Sequence, residues 1–401
     1  MKVLFITDPG IVGGATKSLV ELVATIHTLH PNVEITVCTS DYNSLNKDLT
    51  DVGVASIAEG HLAAMEVDPG CPSLIHARSF YRYWCDYYRR TNQYKQATKN
   101  AVQIIEKKLD IAAFDLIHTN SARNDLGCIL GQKYNLPHVM HIREFGTDDF
   151  NCRFLRKNYY TFISEGTDIF LAVSQAVKNA WIKKGVPAAK IRVVYNGIDG
   201  KSIIAKDHSS YGDHNTLNLV MAGGIFPTKG QYQVIEAMSL LPEDIRKNIS
   251  FTMYGWSETA YMRSLQEQID KLELTSQVKW NGPIQNVNDV LRFYDVGLTC
   301  SRAEGFGRVT AEYMHAGLGV IASDTGANPE LVKDGVNGQL YHYGDYQDLA
   351  NKIGKYYKDR SLLKKHAECA KIAAKTKYTK EINAEKIYEV YCEILGKVRK
   401  E

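Results

Sequence analysis

Glu304 and Glu312 stand in one short run, EGFGRVTAEYM, with Arg302 and Arg308 on either side of Gly305 and Gly307. The run begins where an apolar, strand-like stretch, Val296 to Thr299, ends, and it leads into a helical pattern that carries Glu312. A strand, a glycine loop and a helix start in succession make an anion site. The first N–H groups of a helix have no partner within it, and the helix dipole adds partial positive charge there. The amides of Gly305, Phe306, Gly307, Arg308 and Val309 fall at that place, and the guanidinium forks of Arg302 and Arg308 suit phosphate oxygens. Carboxylates would repel a bare phosphate, so Glu304 and Glu312 read instead as acceptors for hydroxyls. A molecule that joins a diphosphate to a sugar satisfies both demands. Taken alone, the two acids also fit a plainer reading, as a helix-capping acid and a solvated helix face.

Three further constellations sit near the ends of strand-like runs. In GGIFPTKG, Lys229 precedes a helix and follows the strand Leu217 to Ala222, where its ammonium can join helix amides in gripping a diphosphate. In PGIVGGATK, Gly13 and Gly14 open a helix after the strand Val3 to Thr7. That loop lacks the full G-x-G-x-x-G pattern and a Walker lysine–serine pair, so it is either a ligand-approaching turn or a tight connection in which glycine supplies unusual backbone angles. In HVMHIREFGTDDF, His141, Arg143, Glu144 and Asp148 follow a strand, the end at which α/β sheets bind ligands. His138 lies at the strand's beginning, the wrong end. His118, closing DLIHTN, reads as a satisfied structural group, and Trp256 and Trp280 read as core more readily than as stacking surfaces.

These groups need a scaffold that gathers strand ends. Short β-branched runs alternate with helical periods: Val3 to Thr7, Glu34 to Cys38, Asp115 to Thr119, His138 to Ile142, Ile169 to Ser174 and Ile191 to Asn196 in the first half. Leu217 to Ala222, Ile249 to Tyr254, Val278 to Gly282, Val296 to Thr299 and Val320 to Ser323 continue the pattern. Such alternation predicts doubly wound parallel sheets with helices on both faces. A chain of 401 residues exceeds what one core serves. The boundaries expected are a first domain at 1–198, a polar linker at 199–216, a second domain at 217–377 and a C-terminal amphipathic helix within 378–401.

The E-x7-E pair of Glu304 and Glu312, followed by GVIASDTGANPELVKDGVNGQLY, resembles the donor-binding signature of the retaining glycosyltransferases of family 4. The resemblance implies an α/β architecture of two facing Rossmann-like domains, the GT-B type, with a cleft between them and the last helix crossing back to the first domain. It implies that Glu304 holds sugar hydroxyls and Glu312 the ribose, that Gly13 and Gly14 approach the sugar-phosphate, and that His141 faces the donor sugar. It also implies that Lys229 grips the pyrophosphate with an arginine five residues earlier. Gly224 occupies that place here, so the missing charge falls to Arg302 or Arg308.

Residues 78–95 crowd Phe80, Tyr81, Tyr83, Trp84, Tyr87, Tyr88 and Tyr94 among arginines and lysine. Amphipathic rings and cations together suit the headgroup zone of an anionic membrane, though a helix with its rings packed inward fits equally. A net charge of +3 gives no case for nucleic acid. No apolar run reaches the roughly 18 residues that span a bilayer, and the N-terminus has no signal-peptide core. Eight scattered cysteines without a C-x-x-C pair read as reduced thiols in a cytoplasmic protein, with the inner membrane face as a place of peripheral contact. With no convincing D-x-D motif, no metal and no cofactor are expected. The expectation is therefore a retaining, metal-independent transferase that moves a hexose or N-acetylhexosamine from a nucleotide-sugar, UDP-linked by first choice. The acceptor expected is a glycan or lipid-linked glycan in surface polysaccharide or glycoconjugate synthesis. A nucleotide-sugar epimerase or phosphorylase on the same fold, and a non-catalytic partner subunit, are the alternatives.

Overall fold

The computed structural model describes residues 1–7, 13–71, 77–148, 151–207 and 215–396. Its contacts divide the chain into two units, 1–197 with 380–401 and 198–379. In chain order the first unit holds β1 (Lys2–Ile6), β2 (Glu34–Thr39), β3 (Ala55–Ala58), β4 (Met65–Val67), β5 (Leu116–Thr119), β6 (His138–Ile142), β7 (Cys152–Phe154), β8 (Ile169–Ala172) and β9 (Ile191–Val193). Seven of these form a parallel sheet in the order β3-β2-β1-β5-β6-β8-β9, while β4 and β7 pair antiparallel beside it. Val3, Leu4, Phe5 and Ile6 are all wholly buried, the mark of a strand covered on both faces. One face packs against the helix Gly14–Leu29 and the last helix, Lys380–Ile394, which buries Ala384, Ile387, Val390 and Tyr391 there. The other packs against the helices Ala77–Lys108 and Leu126–Tyr134.

The second unit holds β10 (Leu217–Ala222), β11 (Ile249–Tyr254), β12 (Val278–Trp280), β13 (Val296–Thr299), β14 (Gly319–Ser323) and β15 (Gln339–Tyr341) in the order β12-β11-β10-β13-β14-β15, all parallel. The strand order reverses direction at β10–β13 here and at β1–β5 in the first unit. Loops leaving the carboxyl ends on either side of such a point diverge and leave a crevice.

Two segments take a form that the sequence alone did not show. Residues 199–207, expected as linker, dock on the second unit: Ile203 is buried, and Lys206 bonds Asp295 at 3.0 Å and, through its N–H, the Ala316 carbonyl at 2.8 Å. Residues 208–214 lie outside the described residues. The aromatic–basic helix is longer than its motif, running from Ala77 to Lys108, and it divides its rings between two sides. Tyr83, Tyr87 and Tyr94 turn inward, bonding Asp68, the Phe154 carbonyl and Asp125. Tyr81, Trp84 and Tyr88 stand 73%, 47% and 70% exposed. The exposed side therefore carries three of the seven rings. Among the described residues no helix is long and apolar enough to cross a membrane, and Cys38, Cys85, Cys128, Cys300, Cys369 and Cys392 are free thiols.

Candidate active site

In the second unit the loops after β10 and β13 are laced together. The Arg302 N–H donates to the Thr228 carbonyl at 3.0 Å, and the Gln233 side-chain amide donates to the Cys300 carbonyl at 3.0 Å. Gly230, at φ 80°, lets the first loop pass so close that a Cβ there would lie 2.2 Å from the Cys300 carbonyl oxygen. This lacing brings Lys229 to Glu304: Nζ donates to Oε2 at 2.9 Å, and the Ser301 hydroxyl donates to the same oxygen at 2.9 Å. Glu304 Oε1 has no partner among the described residues. The lysine side chain is 39% exposed and the glutamate 14%, so the pair sits at the crevice wall with its cation toward solvent.

The loop after β14 backs the glutamate. The Ala327 N–H donates to the Glu304 carbonyl at 2.8 Å, and the Ser323 and Thr325 hydroxyls donate to the Ser301 carbonyl at 2.9 and 2.7 Å. Gly326, at φ 57°, touches the backbone of Glu304: a Cβ would meet its nitrogen at 2.5 Å and its oxygen at 2.6 Å. The helix Arg308–Ala316 then begins at Gly307, with φ 88°. It is fixed to the sheet by the Tyr313 hydroxyl, which accepts from the Ala222 N–H at 2.7 Å, and by Thr310 against Thr299 at 2.8 Å. Along it, Glu312 is buried with its Oε1 3.5 Å from Arg308 Nη2. Phe306 is buried edge-on to Tyr378, Val309 and Gly305 are half-buried, and Arg302 is exposed.

Gly224 stands where resemblance to the family would place arginine, and the Phe226 ring, 2.4 Å from where a Cβ would be, fills that space. Phe226 in turn neighbours Trp256, ring centres 5.8 Å apart. Trp256 and Trp280, expected in the core, are 57% and 45% exposed at the carboxyl ends of β11 and β12, with the Trp280 indole N–H donating to the Gly255 carbonyl at 3.0 Å.

The first unit places Gly13 and Gly14 exposed at the start of the helix after β1, where the Gly13 N–H donates to the Thr16 hydroxyl at 2.7 Å. Gly13 is extended, at φ −154°, so no left-handed turn demands glycine there; residues 8–12 of this loop lie outside the described residues, as does Asp149. His141 is buried near the end of β6 and meets a network that the sequence did not foreshadow. His118 Nε2 lies 2.8 Å from His141 Nδ1, and His118 Nδ1 bonds the hydroxyl of Tyr391 on the last helix. His118 also stacks on Phe5 at 4.5 Å. The Arg143 guanidinium donates to the Asn120 carbonyl at 2.8 Å, to Asn120 Oδ1 at 2.8 Å and to Asn196 Oδ1 at 2.7 Å, and its main-chain N–H donates to Glu144 Oε2 at 3.2 Å. Burial, reinforced by the Arg143 charge, pushes His118 and His141 well below the ordinary imidazole range. His138 bonds the Thr119 and Thr167 hydroxyls at 2.8 and 3.0 Å, and burial pushes it down to about 3; it is structural. Among the described residues no group of three or more His, Cys, Asp or Glu is arranged to hold a metal ion.

Lys229, Ser301 and Glu304 thus converge in the second unit, with Glu312 along the adjoining helix, while His141 belongs to the first. Two family descriptions match the chain back to back: Glycosyltransferase Family 4 over residues 12–201 and Glycosyl transferases group 1 over residues 204–391. The chain is a glycosyltransferase built on the GT-B fold. It is 27% identical over 298 residues to an uncharacterised glycosyltransferase of Methanocaldococcus jannaschii, covering 72% of this chain and 79% of that one. It is 22% identical over 295 residues to the N-acetyl-alpha-D-glucosaminyl L-malate synthase of Bacillus anthracis, covering 70% and 75%. The structure of Anabaena HepE in complex with UDP superposes with a TM-score of 0.77 at 22% identity, over 98% of this chain and 100% of that one. HepE has also been solved with UDP-glucose.

Proposed function

We propose that the chain transfers a hexose or N-acetylhexosamine from a nucleotide-sugar, UDP-linked by first choice, to a glycan or lipid-linked glycan, with retention of anomeric configuration. The observation that carries this reading is the Lys229–Glu304 pair at the point where the second sheet reverses. Without ligand the two charges satisfy each other. With a nucleotide-sugar bound, Lys229 and the amides from Gly305 to Val309 take the diphosphate, and Glu304 turns to the sugar hydroxyls. Glu312 receives the ribose, and the exposed Trp256 and Trp280 give the base a stacking surface. Arg302, exposed beside the loop, stands in for the arginine absent at Gly224, where the Phe226 ring fills the space. The C1–O bond to the diphosphate breaks while an acceptor oxygen bonds C1 on the same face, and the acceptor's proton passes to the departing phosphate oxygen. Fixed charges aimed at the leaving group supply the main stabilisation, a demand these residues meet without a metal. The names of relatives and neighbours, which include HepE with UDP-glucose and a glucosaminyl-transferring synthase, support this choice of donor.

For the acceptor, the exposed face of the helix Ala77–Lys108 favours a lipid-linked glycan. Tyr81, Trp84 and Tyr88 lie on successive turns, with Arg78, Arg82 and Lys95 exposed beside them and making no ion pair among the described residues. Next to them a groove of about 600 Å³ is lined by Thr91, Leu155, Arg156 and Lys157. Rings and cations side by side match an anionic headgroup layer.

A thermal-shift panel of UDP, UDP-glucose, UDP-N-acetylglucosamine and GDP-mannose tests the donor: a ligand at 100 times its Kd stabilises by about 2.7 kcal/mol, and no shift from any of them overturns the reading. Co-sedimentation with phosphatidylglycerol vesicles, lost in Y81S/W84S/Y88S and absent with phosphatidylcholine, tests the membrane face.

A further inference from the structure

We infer that Tyr391, acting through His118, holds His141 in a single tautomer with its proton on Nε2, so that His141 meets the substrate as a hydrogen-bond donor. The consequence for catalysis rests on the reading that His141 faces the sugar; the tautomer itself does not.

The chain of deduction begins at the last helix. The Tyr391 side chain is wholly buried, and its hydroxyl has one partner among the described residues, His118 Nδ1. A buried hydroxyl proton left without an acceptor is strongly unfavourable. The hydroxyl must therefore donate, and His118 Nδ1 must be bare. A neutral imidazole carries one N–H, so the His118 proton is on Nε2, directed at His141 Nδ1 2.8 Å away. His141 Nδ1 is then the acceptor, and its own proton sits on Nε2. The opposite polarity, in which each ring donates backward, would leave the tyrosine proton with nowhere to go.

Two further observations agree. Arg143 Nη2 lies 3.5 Å from His141 Nδ1, an attractive neighbour for a lone pair and a repulsive one for an N–H. His141 Nε2 is buried with no partner among the described residues. A buried imidazole N–H without an acceptor is a group that a substrate oxygen would complete. Burial keeps both rings neutral at pH 7, so the one-proton count applies there. Held this way, His141 can donate to a sugar hydroxyl or to an oxygen gaining negative charge, and it cannot act as a general base through Nε2. Tyr391 and His118 are positioning residues: they touch no reacting atom and decide which nitrogen of His141 is presented.

The test uses the full chain labelled with 15N at histidine, free of substrate, at pH 7. Ring nitrogen spectra, assigned with H141N and H118N, are expected to show His118 and His141 each protonated on Nε2 alone. Y391F, which removes the one hydroxyl without changing shape, is expected to add a second population of His141 protonated on Nδ1. A wild-type His141 protonated on Nδ1 overturns the inference, and so does a Y391F spectrum identical to wild type. The wild-type spectrum decides the tautomer by itself, so poor folding of the variant leaves the test standing. Because no substrate is present, a failure here is distinct from failure of the nucleotide-sugar panel.

Discussion

The two sheets end in opposite kinds of polar site. At the carboxyl ends of β10 and β13, the groups are an ammonium and a carboxylate 2.9 Å apart, partly open to solvent and supplied by segments that the sequence writes as contiguous motifs. Near the ends of β5 and β6, the groups are neutral rings in a row, sealed from water and drawn from three separated segments at His118, His141 and Tyr391. Charge at the first place fits the diphosphate proposed there, which needs cations that can be reached from solvent. Neutrality suits the second because burying an unpaired imidazolium is unfavourable and a fixed tautomer needs only hydrogen bonds. The second unit is thus equipped for electrostatics and the first for orientation, and each half of that contrast can be broken.

The largest effect is expected at the charged site. Lys229→Ala and Glu304→Gln should each lower turnover with the preferred nucleotide-sugar by about 10²–10³-fold, the range seen when one aimed group is removed from a transition state. Circular dichroism should stay unchanged. A loss under tenfold in both would move the electrostatic work elsewhere in the chain.

Acidification should expose the other half. A histidine pushed down by burial takes up its proton only in the unfolded chain between its folded value and about 6.5. Unfolding then binds protons, and stability falls as pH drops through that window, by about 1.4 kcal/mol per pH unit for each such group. His118, His138 and His141 all lie in the first unit and all are pushed down. In the second, His315 and His366 are pushed down, while Asp324 pushes His342 up and so runs the other way. Hydrogen exchange between pH 6.5 and 5 should therefore show the strands of the first unit losing protection before those of the second. Simultaneous loss in both would mean that the histidines do not set the difference.

A smaller effect should come from the backbone. Gly326→Ala places a Cβ within 2.6 Å of the Glu304 main chain at a φ of 57°. It should cost roughly 1–3 kcal/mol in urea unfolding, with turnover falling as the loop behind Glu304 shifts.

What could be read from the sequence follows the same division. Eleven of the fifteen strands, their parallel direction and the loops that carry Lys229 and Glu304 were legible because apolar runs, glycines and charged residues lie within a few positions of one another; the short β3, β4, β7 and β15 were not, because three or four residues make too brief a run to show a period. Tyr391 was not, because as one ring on an amphipathic helix it gives no sign that its hydroxyl, rather than its face, matters. The outward turn of Trp256 and Trp280 was missed for a related reason: indole is apolar enough to predict core, and only the ends of β11 and β12 show that no core lies there. That a ring fills the space beside Gly224 needed the position of Phe226, two residues on, which no spacing rule carries.

The smallest expected effect is the most pointed test of the contrast, since it compares the stability of two single-group changes. Glu304→Gln removes a charge whose partner, Lys229, is 39% exposed and can be rehydrated. Ion pairs of that kind contribute about 0–1 kcal/mol, so the unfolding midpoint should hardly move even though turnover collapses. Tyr391→Phe removes one oxygen from a sealed row and leaves His118 Nδ1 without its donor. Stranding a buried polar atom costs about 1–3 kcal/mol, so this variant should be the less stable of the two by roughly that amount while keeping measurable turnover. If Glu304→Gln proved the more destabilising, the charged pair would be holding the fold together rather than waiting for a ligand, and the division of labour between the units would have to be reversed.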